Sequence, residues 1–315
     1  MDIGLNGGLF ETGRINIIPK WYDGRSLNTW IVNGVAALPS TNHFIVSEPI
    51  GKNIHCILSS KHYCYNTTNN VWTEKAPLPT DRDRVVSAVV NNKIYCIGGR
   101  KSSTIHNANE CYDPSTNTWS AKTIMPNAPG YVNANKARGV IGDKIYCIID
   151  AYNQCYDTTT NTWTAKTSNP NLNGMTNFSA IEVGGTIYQF FGYKYSYSAT
   201  WYKKVFAYDT TTNSWSTKAD TKINYTSERS GVTVCNGNIY VLGGYNNSVY
   251  ANIDALEKVF VYYPSSDSWS QKTSIPNSMY LRDATASTVD NRVYLIGGYD
   301  DNKSALSAAT SIYLP

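Results

Sequence analysis

Cysteines are the residues of this chain with the widest range of possible chemistry, because a thiol can form a disulfide, bind a metal or attack an electrophile. The 315-residue chain contains seven of them. They are Cys56, Cys64, Cys96, Cys111, Cys147, Cys155 and Cys235. The first six form three pairs, and each pair falls on two consecutive predicted strands. The two thiols of a pair are therefore predicted to be cross-strand neighbours, at a separation that permits a disulfide.

Two interpretations of these pairs are open from the sequence. One is a disulfide or redox pair in each hairpin. The other is a pair of buried, reduced thiols that act as small apolar side chains. The odd number of cysteines and the N-terminal segment MDIGLNGGLFETGR, which lacks the pattern of a signal peptide, favour reduced thiols. No Cys-x-x-Cys or Cys/His spacing typical of zinc sites is present, so no metal site is predicted.

Other groups suited to catalysis are sparse. The four histidines are His43, His55, His62 and His106. No nucleophile elbow, zinc-protease, P-loop or dinucleotide-binding motif occurs, so no cofactor is predicted. The carboxylates Asp83, Glu228 and Asp283 precede predicted strands and could supply an acid–base pair, but such positions more often serve as turn caps. The sequence therefore favours binding over catalysis.

The elements that position these residues follow an internal repeat. A Tyr is followed seven residues later by a Trp at five places, which are Tyr65/Trp72, Tyr112/Trp119, Tyr156/Trp163, Tyr208/Trp215 and Tyr262/Trp269. A sixth tryptophan, Trp30 in SLNTWIV, has the same local setting. An apolar phrase such as KIYCIGG (93–99) or RVYLIGG (292–298) precedes the Tyr of each repeat. One structural unit is therefore expected to occur six times.

Each unit predicts four short strands. These are a run such as SAVV, the IYCIGG run, the CYD run and the NTW run, with a turn such as DPSTNT between the last two. Asp, Pro, Asn and Thr suit the backbone angles of such turns. No stretch shows a persuasive helical periodicity, and aromatic residues make up 13% of the chain. An all-β fold is predicted.

The repeat resembles the Kelch motif over roughly residues 27–315. The resemblance rests on the doublets Gly98–Gly99, Gly243–Gly244 and Gly297–Gly298, on the Tyr-Asp pairs, and on the Trp that follows the Tyr by seven residues. It implies a six-bladed β-propeller in which each repeat is one four-stranded antiparallel blade. The doublet is replaced at 58–59, 149–150 and 191–192, where the motif is weaker.

The two ends of the chain complement each other. The last repeat stops at Pro315 without a tryptophan strand, and the N-terminal stretch LNTWIVN around Trp30 supplies one. We therefore predict one all-β Kelch propeller domain over residues 25–315, closed into a ring by an N-terminal strand that completes the last blade. Residues 1–24 are predicted to be an N-terminal extension or attachment segment.

The charge pattern narrows the range of partners. The 27 basic and 23 acidic residues are scattered and give a net charge of +4, so no nucleic-acid footprint is predicted. No apolar stretch approaches the length that spans a bilayer, so no membrane insertion is predicted. The expected partner is a protein or a glycan. The expected location is the cytoplasm or a larger particle that carries the chain, with an extracellular location left open.

Function is expected where the chain departs from the repeat, since the repeated Tyr and Trp residues predict packing between blades. The loops between second and third strands are short in blades 1 and 3 and long in blades 4 to 6. All of these loops are expected to lie on one face of the propeller. The candidate binding aromatics in these loops are Tyr193, Tyr195, Tyr197, Trp201, Tyr245 and Tyr299. They suit stacking on a glycan or a hot spot for a protein. Alternatively, the blade-4 aromatics cover a neighbouring blade.

The connections between blades are expected to reach the central channel on the same face. Their polar residues are Asn42, His43, Arg82, Arg84, Asn135, Asn177, Arg229, Tyr280 and Arg282. In Kelch adaptors that capture peptides, Arg, Asn, Ser and Tyr at such positions form the pocket. The resemblance thus implies that Arg84, Arg229 and Arg282 bind an anionic group. Asp83 and Glu228 could instead neutralise these arginines.

The predicted function is non-catalytic recognition of a glycan or a protein through the loop-rich face. The Asn-, Thr-, Ser- and Tyr-rich composition, without a BTB-like adaptor domain, suggests a microbial or phage surface or tail binder. A carbohydrate-active enzyme with a channel-mouth site is an alternative, because some Kelch relatives are copper oxidases or sialic-acid isomerases. Nothing in the sequence identifies the copper ligands of the oxidases. A further alternative is an intracellular protein-interaction adaptor.

Overall fold

The structure is a computed structural model, and the residues that it describes are 28–42, 44–127, 138–149, 152–171, 175–176, 178–190, 193–194, 200–201, 204–221, 230–244, 257–276, 281–300 and 305–315. The strands of these residues form six four-stranded antiparallel sheets and three smaller ribbons. Each four-stranded sheet corresponds to one predicted repeat and is called a blade. The all-β, six-bladed architecture predicted from the sequence is confirmed.

The strands of the first three blades follow the repeat in chain order. Strand β1 (Thr29–Ile31) precedes blade 1 and belongs to blade 6. Blade 1 contains β2 (Val46–Ile50), β3 (Asn53–Leu58), β4 (Lys61–Asn66) and β5 (Val71–Glu74). Blade 2 contains β6 (Val86–Val90), β7 (Lys93–Ile97), a small hairpin of β8 (Arg100–Lys101) and β9 (Thr104–Ile105), β10 (Asn109–Asp113) and β11 (Thr118–Lys122). Blade 3 contains β12 (Arg138–Ile141), β13 (Lys144–Ile149), β14 (Tyr152–Asp157) and β15 (Thr162–Lys166).

The last three blades have the same plan with additional short strands. Strand β16 (Met175–Thr176) precedes blade 4, which contains β17 (Ser179–Val183), β18 (Thr186–Phe190), the short strands β19 (Tyr193–Lys194) and β20 (Thr200–Trp201), β21 (Val205–Asp209) and β22 (Ser214–Lys218). Blade 5 contains β23 (Gly231–Cys235), β24 (Asn238–Leu242), β25 (Val259–Tyr263) and β26 (Ser268–Lys272). Strand β27 (Leu281–Arg282) precedes blade 6, which contains β28 (Thr285–Val289), β29 (Arg292–Ile296), the short strands β30 (Tyr299–Asp300) and β31 (Ala305–Leu306), and β32 (Thr310–Leu314).

The blades form a closed ring. The first strands of neighbouring blades contact one another all the way round, from β2 through β6, β12, β17 and β23 to β28 and back to β2. Blade 6 is completed by β1, whose Trp30 is the register partner of Tyr313 on β32. The predicted closure by an N-terminal strand is therefore confirmed. Closure also pairs a strand edge that would otherwise be exposed in the last blade.

The apolar core lies between blades. One cluster of buried side chains joins blades 2, 3 and 4, and four further clusters join the remaining neighbouring pairs, including blades 6 and 1. Each blade therefore buries both of its faces against its neighbours. A single blade has no core of its own, and its stability depends on the ring.

A set of hydrogen bonds, called here the clamp, joins each blade to the segment that leaves the previous blade. At the junction of blades 1 and 2, Trp119 Nε1 donates to the Ala76 carbonyl oxygen at 2.8 Å. The Ala76 backbone N–H donates to Asn117 Oδ1 at 3.0 Å, and the Tyr112 hydroxyl donates to the same oxygen at 2.8 Å. Both backbone groups of Ala76 are thus paired just after a strand has ended, where no ladder partner remains.

The clamp recurs around the whole ring. The clamped residues are Ala36, Ala76, Thr123, Thr167, Ala219 and Thr273. The Tyr–Asn or Tyr–Asp pairs that hold them are Tyr65–Asn70, Tyr112–Asn117, Tyr156–Asn161, Tyr208–Asn213, Tyr262–Asp267 and Tyr313–Asn28. The tryptophan bond to the clamped carbonyl is present at five of these six junctions, the exception being that of Trp269. The repeat therefore encodes bonding between blades as well as packing.

The Asn of the clamp is also suited to its backbone. The six Asn or Asp residues have φ between 46° and 59°. Asn and Asp enter this left-handed region more readily than other non-glycine residues. The turn before each tryptophan strand therefore requires Asn or Asp both for its conformation and for its side-chain oxygen.

The glycine doublet permits a close approach of two segments. Gly99 has a φ of 99°, and a Cβ at this position would lie 2.5 Å from the Asp83 carbonyl oxygen and 2.8 Å from the Val85 side chain. Asp83 and Arg100 exchange backbone hydrogen bonds of 2.9 Å just beside it. The doublet lets the segment that enters blade 2 lie directly against the loop that follows β7.

The predicted cross-strand cysteine pairs are wrong by one residue of register. Cys96 lies opposite Glu110, and Cys111 lies opposite Tyr95. The two thiols consequently point to opposite faces of the blade, since successive side chains on a strand alternate. Blades 1 and 3 have the same offset. All seven cysteines are free and buried, and burial raises the pKa of the Cys96 thiol to about 12.

Replacing the clamp asparagine of blade 3 tests the role of the clamp. Asn161→Ala removes the acceptor of the Tyr156 hydroxyl and of the Thr123 N–H, and it places Ala at a φ of 58°. We expect the free energy of unfolding to fall by about 3 kcal/mol, measured by urea denaturation. Asn161→Asp is the matched control, because Asp267 fills this role in blade 5. A loss below about 1 kcal/mol for Asn161→Ala would contradict the role of the clamp.

Thiol labelling tests the state of the cysteines. After unfolding without reductant, mass spectrometry should find an alkyl group on all seven cysteines, because no thiol is paired in the fold. Before unfolding, labelling should be slow, since every one of them is at most 5% exposed. Recovery of any two cysteines as a linked peptide would overturn the register argument.

Candidate functional site

The two faces of the ring differ in what they carry. On one face, first and second strands are joined by two-residue turns, such as Asn91–Asn92 and Asp290–Asn291, with φ near 50° to 60°. Four-residue turns join third and fourth strands on that same face, called here the turn face. The connections between blades and the loops between second and third strands lie on the other, loop-rich face. Residues free to vary for binding are therefore concentrated on the loop-rich face.

Short ribbons build up the loop-rich face. In blade 4, β16, β19 and β20 form a three-stranded ribbon, and in blade 6 β27, β30 and β31 form another. In blade 2, β8 and β9 form a hairpin that is joined to Asp83 by a bridge at Arg100. In each case the segment entering a blade pairs with the loop between its second and third strands. This places both kinds of loop on one face, as the sequence analysis expected.

The ribbons bring several predicted binding residues together. Arg282 and Tyr299 are register partners in blade 6. Tyr193 and Trp201 are register partners in blade 4. Arg84 lies at the channel mouth and is described below. The other seven predicted binding residues lie outside the described residues, and they are Asn135, Asn177, Tyr195, Tyr197, Arg229, Tyr245 and Tyr280. Their roles remain predictions from the sequence.

A ring position at the mouth of the channel has an unusual backbone. Phe44, Arg84 and Asp283 each lie two residues before the first strand of a blade, and their φ values are 59°, 58° and 60°. Positive φ is uncommon for Phe and Arg, and such conformations are often found at binding sites, where the surrounding structure holds them. The side chains at this position are thus held in fixed directions at the start of the strands that line the channel.

Arg84 has a defined environment at this mouth. Its guanidinium carbon lies 3.9 Å from the centre of the Phe44 ring, so the cation stacks on an aromatic residue of the neighbouring blade. Arg84 Nε is 3.5 Å from Asp83 Oδ1, and the side chain is 20% exposed. Burial raises the pKa of Asp83, and the positive charges of Arg84, Arg100 and Lys101 oppose this shift. Arg84 is therefore positioned and partly accessible, as a binding residue requires.

Two other candidates from the sequence are buried. The Arg82 side chain is fully buried and is paired with Glu110. It also donates to the carbonyl oxygens of Gly98, Cys96 and Thr80 at 2.7, 2.9 and 2.8 Å. The expectation that Arg82 faces the channel is wrong, because its charge is satisfied inside blade 2. Asp283 is 1% exposed, which argues against a role as an acid or base toward a substrate in the channel.

The channel contains an ion pair that the sequence analysis missed. Glu48 of blade 1 accepts hydrogen bonds from Arg138 Nη2 of blade 3, at 2.6 Å to Oε1 and 2.8 Å to Oε2. The Ser87 hydroxyl of blade 2 also donates to Glu48 Oε1 at 2.6 Å. Glu48 is only 2% exposed. A single carboxylate thus links three blades across the channel. The available signal was a Glu inside the apolar strand FIVSEPI.

Hydroxyl groups continue this polar lining on the other side of the channel. The Ser47 hydroxyl is hydrogen-bonded to Thr285 and Ser287, both at 2.7 Å, and Thr233 is hydrogen-bonded to Thr288 at 3.0 Å. The lined cavity has a volume of about 240 Å³ and receives side chains from all six blades. Val89, Val140, Ile181, Val232, Val234 and Ala286 form its apolar part. The channel is therefore mixed in polarity, with its charges paired.

Within the described part of the chain, no cluster of three or more His, Cys, Asp or Glu side chains is arranged to bind a metal ion. No helix among the same residues is long and apolar enough to cross a membrane.

The ring of blades and the loop-rich channel mouth define the class of protein, a six-bladed β-propeller. The model of the KLHDC2/KLHL20/DRC7 Kelch-repeats domain matches residues 150–298, and that of the Kelch motif matches residues 81–126. The chain belongs to the Kelch-repeat family.

Individual relatives agree with this assignment. Kelch-like protein 23 of Homo sapiens is 37% identical over 112 residues, which are 36% of this chain and 19% of that protein. Kelch-like protein terF of Aspergillus terreus is 25% identical over 247 residues, 76% of this chain and 43% of that protein. The chain thus spans less than half the length of these relatives. The solved structure of YjhT superposes with a TM-score of 0.72 at 15% identity, covering 87% of this chain and 95% of that one, and shows the shared fold.

The channel ion pair can be tested with a double-mutant cycle. Arg138→Met leaves the buried Glu48 carboxylate without its counter-ion, and we expect it to lower the free energy of unfolding by about 3 kcal/mol. The variant Glu48→Gln combined with Arg138→Met should recover most of this loss, because no buried charge remains. Urea denaturation at pH 7 measures all four proteins of the cycle. Additive effects of the two substitutions would show that the pair is not coupled.

Proposed function

We propose that this chain is a non-catalytic protein-recognition module whose binding surface is the loop-rich face around the channel mouth. The observation that carries the proposal is the difference between the two faces. The turn face consists of short turns fixed by the repeat, whereas the loop-rich face adds ribbons in blades 2, 4 and 6. Additional ordered structure on one face of a repeat scaffold is typical of a binding surface.

The charges on this face favour an anionic group in the partner. Arg84 is held over Phe44 at the channel mouth, and Arg282 lies on the blade-6 ribbon beside Tyr299. Arginine binds carboxylates through paired, charge-assisted hydrogen bonds, and the partial burial of Arg84 reduces screening by solvent. An acidic side chain or a C-terminal carboxylate of a bound peptide is the group that this arrangement fits. The resemblance to Kelch adaptors that capture peptides supports the same conclusion.

A glycan is the second candidate ligand, and one observation favours it. Tyr193 and Trp201 are register partners on the blade-4 ribbon, which places two large aromatic residues together on the loop-rich face. Aromatic rings with polar tips stack on sugar rings as well as on peptides. A glycan ligand would move the main contact from the channel mouth to blade 4.

Arginine substitutions test the proposed surface. Peptides are selected from a displayed random library on the immobilised chain, and the dissociation constant of a selected peptide is measured by calorimetry. We expect Arg84→Ala and Arg282→Ala each to weaken binding by about 10- to 100-fold, the value of a charge-assisted hydrogen bond. Replacing the acidic residue of the peptide with its amide should cause a loss of similar size.

Arg292→Ala is the matched control for this experiment. Arg292 begins β29 directly after a turn on the turn face, so its loss should change the dissociation constant less than threefold. Equal losses for Arg292→Ala and Arg84→Ala would contradict the assignment of the face. A glycan array probed in parallel separates the two ligand classes. Binding to a sugar that Trp201→Ala abolishes and Arg84→Ala leaves intact would favour the glycan.

A further inference from the structure

Two buried histidines lie at the junction between blades 1 and 2. His55 on β3 is 3% exposed, and His62 on β4 is fully buried. His55 Nδ1 lies 3.0 Å from His62 Nε2. His62 Nδ1 lies 3.2 Å from the carbonyl oxygen of Ala76, the residue that blade 2 clamps. The pair is thus connected directly to the clamp that joins the two blades.

The protons of this network have one consistent arrangement. The Ala76 carbonyl can only accept, so His62 Nδ1 carries a proton and donates to it. His62 Nε2 is then an acceptor, and His55 Nδ1–H donates to it. His55 Nε2 is in turn an acceptor, and the Cys64 thiol donates to it across 3.7 Å. A proton added to His62 Nε2 therefore places two N–H donors face to face, and a proton added to His55 Nε2 leaves only the weakly accepting Cys64 sulfur as its partner.

The neighbouring blades show what these histidines replace. His62 occupies the position of Asn109 in blade 2 and Asn153 in blade 3. The side-chain amides of these two asparagines donate to the clamped carbonyls of Thr123 and Thr167, at 3.2 and 3.1 Å. The bond that His62 makes to Ala76 thus recurs in blades 2 and 3 with an asparagine as the donor. Blade 1 makes it with a group that can be protonated.

His55 likewise replaces a residue of the repeat. It lies opposite Cys64, as Tyr95 lies opposite Cys111 and Tyr146 lies opposite Cys155. Those tyrosines are hydrogen-bonded to their cysteines. Both substitutions therefore keep the scaffold bonds, and together they introduce two titratable rings in contact with each other.

We propose that the His55–His62 pair is a proton-sensitive latch, which holds the start of the segment 75–84 in place at the junction of blades 1 and 2 at neutral pH and releases it on acidification. The segment begins at Lys75, whose backbone N–H donates to the His62 carbonyl oxygen at 2.8 Å. It continues through the clamped Ala76 and ends at Arg84 of the channel mouth. The latch therefore connects a buried proton-binding site to the proposed binding surface.

The surroundings of the pair disfavour its charged form. The groups facing it are the Cys64 thiol on its own blade, the Lys75 ammonium on the segment, and the edge of the Tyr112 ring from blade 2, 4.5 Å from His62 between ring centres. None of them is a carboxylate. Burial, with the charge of Lys75, lowers the pKa of His55 from 6.5 to about 4. Burial and the charge of His55 lower the pKa of His62 to about 3, although its bond to Ala76 opposes the shift.

The direction of the pH effect follows from these shifts. Both pKa values are lower in the closed junction than in an open one, where they return to about 6.5. The closed state is therefore fully stable above pH 6.5 and loses stability as the pH falls toward 4. An open junction takes up two protons that the closed one excludes, so the ratio of closed to open molecules falls by up to about 100-fold per pH unit in this range.

Hydrogen exchange at single amides tests the latch. Protection factors of the Lys75 and Ala76 amides are measured between pH 7 and pH 4. The amides of Thr123 and Thr167, clamped in the same way in blades 2 and 3, are the internal reference. We expect protection at Lys75 and Ala76 to fall at least 30-fold more than at the reference amides over this range. An equal fall at all four amides, or no fall, would overturn the proposal.

The chain provides its own matched variant. His55→Tyr combined with His62→Asn gives blade 1 the residues that blades 2 and 3 have at these two positions. The variant retains a donor for the bond to the Ala76 carbonyl. In this variant the four amides should show the same pH dependence. A persisting excess loss of protection at Lys75 and Ala76 would assign the effect to other groups and overturn the latch.

A second measurement on the unmodified chain does not depend on the variant folding. ¹⁵N chemical shifts of the histidine rings should show His55 and His62 neutral at pH 5.5, each with its proton on Nδ1. The partly exposed His106 is the reference in the same spectra. Titration of either buried ring with a midpoint near 6.5 would show that the pair does not exclude protons, and this would overturn the proposal.

Discussion

The structure depends on the clamp, in which a Tyr hydroxyl, an Asn oxygen and a Trp indole of one blade hold the backbone of the blade before it. The apolar area between blades is large, but apolar contact alone does not fix how far one blade turns against the next. The clamp does fix this angle, because it binds the two backbone groups of a single residue such as Ala76 with directional bonds. The Tyr and Asn or Asp bonds of the clamp recur at all six junctions, and the tryptophan bond recurs at five of them.

Closure shows the strength of this constraint. Asn28 and Trp30 clamp Thr273, although the Tyr313 that completes the set lies at the other end of the chain. The ends therefore join through the same bonds as any other junction. The closing junction therefore has the full set of clamp bonds, and the loops are free to diverge on one face. Arg84 and Phe44 can then hold uncommon backbone angles, because the strands that follow them are fixed.

Blade 1 differs from blades 2 and 3 in the side chain that donates to the clamped carbonyl. Asn109 and Asn153 donate to a clamped carbonyl as neutral amides, whereas His62 does so with a group that titrates. The stability of the junction then depends on pH without any change of fold. The channel instead contains two charged side chains, Glu48 and Arg138, which neutralise each other. In both cases the buried polar groups have partners, as the cost of burying an unpaired polar group requires.

The sequence by itself determined the fold class, the number of blades and the closure, because the spacing of Tyr and Trp repeats and each unit needs its neighbours to bury its apolar faces. It also identified the loop-rich face, since loop lengths are visible in the chain. Tertiary structure decided the rest. A shift of one residue in strand register turns a side chain to the other face, and this separated Cys96 from Cys111. Glu48 and Arg138, 90 residues apart, meet only because the ring brings their strands to one axis.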